Sequence, residues 1–244
     1  MIFSRIVYSS ILLGIVGGLL LTGLQIASLN PIIFAAESYQ LSADEVAVES
    51  GDGGHSGHEH NDDAWTPADG LERTAYTLLA NLFASTGFAA MLLALMCLSR
   101  LTREGKISWS QGSLWGLAGF TALFLAPAIG LPPEIPGMTA AAIEHRQIWW
   151  ALCALSVASG LGIFAFAPVR VKAFGLLFLV SPYIVGAPQV DAPRFRHPDP
   201  SVVQALVDLH QQFILGSALA NLVFWLVLGL ASRFAFNRWI SVFR

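Results

Sequence analysis

Long apolar runs separated by short polar ones set the rhythm of this chain. Uninterrupted hydrophobic stretches occupy 6–29, 76–99, 112–131, 147–167 and 212–235, each long enough to cross a bilayer as a helix, which takes roughly 20 residues. A sixth run, 173–187, is shorter and holds Pro182 and Gly186. At 1.5 Å per residue it reaches about 22 Å, so it crosses where the membrane thins around it and is otherwise re-entrant. The pattern predicts an all-α integral membrane protein built as a six-helix transmembrane bundle, or five spans if 173–187 turns back. The whole chain, 1–244, then forms one transmembrane domain with one long outer loop at 30–74. Composition agrees: only 12% of residues are charged and mean hydropathy is +0.63, whereas soluble domains carry about 25% charged residues.

The charges orient the bundle, because cytoplasmic flanks collect Lys and Arg. With six spans and both termini inside, the inner side holds Arg5, Arg100, Arg103, Lys106, Arg170, Lys172, Arg233, Arg238 and Arg244, and the outer side only Arg73, Arg146, Arg194 and Arg196. Turning 173–187 back would put the basic C-terminal end on the wrong side. An N-in, C-in multi-pass protein of the cell inner membrane is the expectation. That orientation sends every acidic residue but Glu104 to the outer face, where a concentrated negative field attracts cations. A net charge of −3 without a basic run gives no footing for nucleic acid or for a polybasic lipid patch. The first run reads as an anchor, since its apolar core exceeds the 7–15 residues of a signal peptide and Phe34-Ala35-Ala36 is a poor cleavage site.

Candidate chemistry concentrates in the loop. Gly51-Asp52-Gly53-Gly54-His55-Ser56-Gly57-His58-Glu59-His60-Asn61-Asp62-Asp63 brings three imidazoles and several carboxylates together on a glycine-rich backbone that can wrap around one ion. Imidazole with carboxylate suits cobalt, nickel, zinc or copper(II). His55, His58, His60, Glu59 and Asp62 are therefore the candidate metal ligands, and a flexible site without supporting hydrogen bonds captures loosely rather than selectively. A solvated low-complexity loop is the competing reading. Pro67, Asp69 and Glu72 mark a helix start at the interface, with Glu72 placed to pass an ion from loop to bundle.

Polar residues inside the spans are few, which makes each informative. Asn81 and Ser85 share a helical face, as do Ser217 and Asn221, and the two asparagines are either hydrogen-bonding partners between helices or ion ligands. Gln25 and Gln147 are weaker versions of the same case. The outer mouths add Glu37, Glu144, His145, His210 and Glu134, the last within a stiff Pro132-Pro133-Glu134-Ile135-Pro136 turn. Gly14, Gly18 and Thr22 on the first helix, and Gly112 and Gly116 on the third, form small-residue rows that allow close helix packing. Cys97 and Cys153 stand alone in apolar segments and read as packing residues. No phosphate-binding loop, nucleophile elbow or His-Glu-x-x-His occurs, so the chain reads as a non-enzyme without an ATPase of its own.

The order of several motifs resembles the CbtA family of probable cobalt transporter subunits. These are Pro67-Ala68-Asp69-Gly70-Leu71-Glu72-Arg73 running into Tyr76-Thr77-Leu78-Leu79-Ala80-Asn81; Gly116-Leu117-Ala118-Gly119-Phe120 followed by Leu125-Ala126-Pro127-Ala128-Ile129-Gly130-Leu131-Pro132-Pro133-Glu134-Ile135-Pro136-Gly137; Arg146-Gln147-Ile148-Trp149-Trp150; and Val185-Gly186-Ala187-Pro188-Gln189. The acidic, His-bearing loop after the first helix is also similar to that family. The resemblance implies import of cobalt as substrate for cobalamin synthesis, with no tightly bound cofactor and with a small His-containing, single-span CbtB-like partner in the bilayer. It brings no established set of functional residues, and the family is often described with five spans. On this reading the loop histidines capture the ion, Glu72 and Glu134 form the outer vestibule, Glu37, His145 and His210 are further candidates for the transport path at the outer mouth, and Asn81 and Asn221 lie near a path through the bundle. A polytopic scaffold or assembly subunit is the alternative, as is nickel in place of cobalt.

Overall fold

The computed structural model describes residues 2–49, 67–101 and 105–241, and for 41–49 the backbone alone. The chain forms α1 (Ile2–Ser28), α2 (Asn30–Glu49), α3 (Leu71–Ser99), α4 (Trp109–Phe120), α5 (Ala126–Gly130), α6 (Ile143–Phe166), α7 (Lys172–Val185) and α8 (Pro200–Ala235). A π-helical turn, Thr121–Leu125, joins α4 to α5, and a second, Phe236–Ile240, continues α8. Among the described residues there is no strand, and five helical stretches are long and apolar enough to cross a membrane: α1, α3, α4 through α5, α6, and α8 with its π turn. The all-α membrane bundle expected from the sequence is what forms.

Contacts at its two ends determine how often the chain passes between them. At one end, Arg5 donates to the Trp239 carbonyl at 2.6 Å, and Asn237 clasps the backbone of Ile107 through bonds of 2.8 and 2.9 Å. Both termini therefore lie at the same end, which demands an even number of passes. Five long helices leave one pass to account for, and α7 makes it. Gly160 of α6 meets Gly175 of α7 near the first end, while Trp149 Nε1 donates to the Pro182 carbonyl toward the other. From there 186–199 runs on to the turn at 131–142, where the Thr139 amide bonds the Arg194 carbonyl. With 14 residues α7 rises only about 21 Å, short of the about 30 Å of hydrocarbon in a typical bilayer. It completes its pass because α6 shields it on one side and an extended stretch prolongs it.

Glycines position the long helices. On α1, Gly14 faces Thr86 and Gly18 faces the backbone of Leu82; on α8, Gly229 lies against the backbone of Gly112 and Gly116. Without a hydrophobic drive between helices in lipid, such close approach supplies the packing. The central core then joins α1, α3, α4 and α8 through Leu13, Leu92, Leu93, Met96, Phe120, Phe224, Trp225 and Leu228.

Two features depart from the sequence reading. Residues 30–49, expected as loop, form α2, because Ile32, Ala36 and Tyr39 recur on one helical face and pack with Ile135, Phe195 and Leu206. The helix that carries the apolar run at 76–99 starts at Leu71 and not at Pro67, with Gly70 at φ 92° standing just before its first turn.

At the start of α8, Asp199 Oδ1 accepts from the Ser201 hydroxyl and amide, both at 2.8 Å. The hydroxyl bond, then the amide bond, holds the Asp199 carboxyl below its ordinary range. A carboxyl depressed on folding contributes stability above its unfolded pKa of about 4 and loses it as pH falls through the lowered folded value. Asp199→Asn keeps a capping oxygen without a titrating group, so its unfolding midpoint will fall less than wild type's on acidification. Equal falls for both proteins would show that the cap contributes nothing to acid sensitivity.

Candidate functional site

The end of the bundle that gathers α2, the start of α3, the turn at 131–142 and the start of α8 carries paired charges. Arg73, near the start of α3, grips Glu37 of α2 with both terminal nitrogens at 2.7 and 3.1 Å and reaches Asp69 at 3.2 Å. Two parallel bonds to one carboxylate hold α2 against α3 more firmly than a single surface ion pair would. Arg146, on the first turns of α6, donates to Glu134 Oε2 at 2.6 Å. His210 is 4% exposed and contacts the Pro133 carbonyl through Nε2 at 3.0 Å. Because a carbonyl only accepts, Nε2 carries the proton and Nδ1 is the nitrogen left for any ligand.

About two turns deeper along α3 lies a buried polar layer. The Asn81 side-chain amide donates to Thr22 Oγ1 at 2.9 Å and to Gln25 Oε1 at 2.7 Å, joining α3 to α1. The orientation of that amide follows from its neighbours: Thr22 spends its only hydrogen on the Gly18 carbonyl at 2.8 Å, so its oxygen must accept. Both Asn81 N–H groups are thus used, and Oδ1 is the free end of the side chain. Ser85, one turn further along α3, is fully buried with its hydroxyl unpartnered beside Gly17. On α8, Gly216 faces Leu29 and Phe224 faces Gly17, so Ser217 and Asn221 lie on the stretch of α8 that runs alongside the second half of α1. Asn221 there donates to the Ser217 carbonyl of its own helix at 3.0 Å. Amide and hydroxyl oxygens of Asn81, Thr22 and Gln25 therefore meet between α1 and α3, a set that can replace part of an ion's water shell without carrying charge.

A sequence model of the family described as "Probable cobalt transporter subunit (CbtA)" matches residues 3–237, nearly the whole chain. The chain belongs to the CbtA family. It is a membrane-embedded member of a family of probable cobalt transporter subunits, and cobalt is the substrate that the family description names. No curated protein and no solved structure matches it.

Among the described residues, the expected site residues of this CbtA member do not form one cluster. His55, His58, Glu59, His60 and Asp62 lie outside the described residues. Glu37 and Glu134 sit at one end but each faces an arginine. Glu72 accepts from the Ala68 amide at 3.3 Å, steadying the turn before α3. His145 is exposed on the first turn of α6, apart from the buried His210. Asn81 and Asn221 are each bonded elsewhere and not to one another. Among the described residues no group of three or more His, Cys, Asp or Glu side chains could hold a metal ion. The sequence reading treated Thr22 as a packing residue and Gln25 as a minor case, yet both complete the Asn81 contact. Their spacing of three on the helix facing Asn81 was the available clue.

Proposed function

We propose that this chain is the membrane subunit of a cobalt importer of the cell inner membrane, oriented N-in and C-in, which supplies cobalamin synthesis and works with a small His-containing, CbtB-like subunit. The observation that carries this reading is the buried layer of Asn81, Thr22 and Gln25, an uncharged oxygen-rich stop in the bundle below an acidic rim. Polar groups at such depth cost energy to bury and are kept where they serve a path or a helix contact. His55, His58 and His60, with Glu59 and Asp62, form a collecting arm on the outer face. Glu72 and the acidic outer surface guide the ion inward, and Asn81 and Asn221 border its route. Glu37 and Glu134 form the fixed walls of the vestibule with their arginine partners, and His210 and His145 lie at its margin.

Uptake of labelled cobalt into liposomes holding this chain, with and without the companion subunit, tests the proposal. Flux that requires this chain supports it; absence of flux in both preparations would instead favour a scaffold role. Competition by nickel in the same assay decides between the two ions, because both accept imidazole and carboxylate.

The arm makes a separate prediction. Replacing His55, His58 and His60 together with Ala will lower uptake at limiting external cobalt and leave it unchanged at saturating cobalt, since capture matters only when ions are scarce. Uptake indistinguishable from wild type at every concentration removes the capture role.

A further inference from the structure

Beside α5 and the first turns of α6 the helices part and leave a cleft of about 630 Å³. Its walls are hydrocarbon, from Leu123, Phe124, Ala128, Leu131, Trp150 and Ala151, while Glu134, Arg146 and Gln147 contribute polar groups. Trp150 in the lining is 41% exposed and Ile143 is 59% exposed, so the cleft opens on the flank of the bundle that faces lipid. A tryptophan and an arginine at one level are the usual furniture of the membrane interface.

One guanidinium there is incompletely used. Arg146 Nη2 donates to Glu134, but Arg146 Nε is buried and has no acceptor. Folded chains seldom leave a buried donor without a partner, and an arginine fork favours a phosphate oxygen.

We propose that this cleft is a binding site for a phospholipid with an ethanolamine headgroup. An acyl chain lies along the apolar walls, a phosphate oxygen accepts from Arg146 Nε, and the ammonium donates to Glu134. Charge complementarity selects this occupant. An anionic headgroup gains from Arg146 but is repelled by Glu134, whereas phosphate with ammonium answers both charges. A choline headgroup answers them too, yet its quaternary nitrogen has no N–H to offer the carboxylate.

Native mass spectrometry of the delipidated full-length protein, incubated in detergent with phosphatidylethanolamine, phosphatidylcholine or phosphatidylglycerol, reads bound lipid directly. Wild type will keep a phosphatidylethanolamine adduct under activation that strips the other two. Ala151→Leu, which fills the cleft, and Arg146→Lys, which keeps the charge but removes the Nε donor, will both lose it. Lipid-free thermal unfolding establishes that each variant is folded, and if Ala151→Leu is not, Arg146→Lys carries the test. Equal retention of all three lipids, or an adduct that survives Arg146→Lys, overturns the proposal. So does efficient cross-linking in native membranes from Ala151→Cys to a partner polypeptide, which would make the cleft a protein interface.

Discussion

Gly229→Ala will lower the thermal unfolding midpoint of the detergent-solubilised protein more than alanine at the open helical glycines Gly23 and Gly162. A methyl group on Gly229 would stand 2.6 Å from the Gly112 carbonyl oxygen and from the Gly116 amide nitrogen, and 2.7 Å from the Gly116 Cα. All three are backbone atoms, so no rotamer change relieves the contact and α4 must move away from α8. Alanine does gain up to about 1 kcal/mol over glycine in helix propensity. Overpacking typically costs about 1–3 kcal/mol, and the loss here extends to the seat of Trp225 against Gly116 and Gly119. The clash wins. Gly23→Ala and Gly162→Ala are the controls, because a methyl group there meets nothing within 4 Å. If all three variants melt together, the tight crossing of α4 and α8 does not limit stability.

Asn81→Leu will reduce cobalt uptake by roughly 10- to 100-fold in proteoliposomes containing all required subunits. The Asn81 amide ties Thr22 and Gln25 together and leaves Oδ1 as the open polar atom of the buried layer. Leucine has a similar size, removes the oxygen and leaves Gln25 Oε1 without this donor. A hydrogen bond or ion contact involving a charged partner is worth about 1.5–3 kcal/mol, and each 1.36 kcal/mol at a barrier is about tenfold in rate. Protein level and unfolding midpoint must be measured beside flux, since loss of an interhelical bond alone also destabilises. Flux per folded molecule equal to wild type would reduce Asn81 to a structural hydrogen bond.

The two predictions draw on different kinds of legibility. Small residues at Gly14, Gly18, Gly112 and Gly116 are visible as rows in the sequence, and each row lies where helices meet. Their partners were not visible, because spacing along one helix says nothing about which neighbour approaches it. Asn81 likewise stood out as a polar residue in an apolar run. That it bonds Thr22 and Gln25 rather than Asn221 depends on the register of α1 against α3. The outer acids show the same division: Glu37 and Glu134 were legible as carboxylates near the interface, but the arginines that hold them are distant in sequence or across a turn.

Apolar runs longer than a bilayer is thick can be satisfied only by helices, since no water is available there to bond an open backbone. For that reason the sequence alone determined the membrane class and the long spans, and its basic residues favoured six passes over five. Tertiary structure decided the rest. Contact between Arg5 and Trp239 requires an even number of passes, which the hairpin of α6 and α7 completes. Packing against α8 and the turn at 131–142 drew 30–49 out of the expected loop and into a helix. Periodicity reports whether a segment has a face to bury; only the assembled bundle determines which surface receives it.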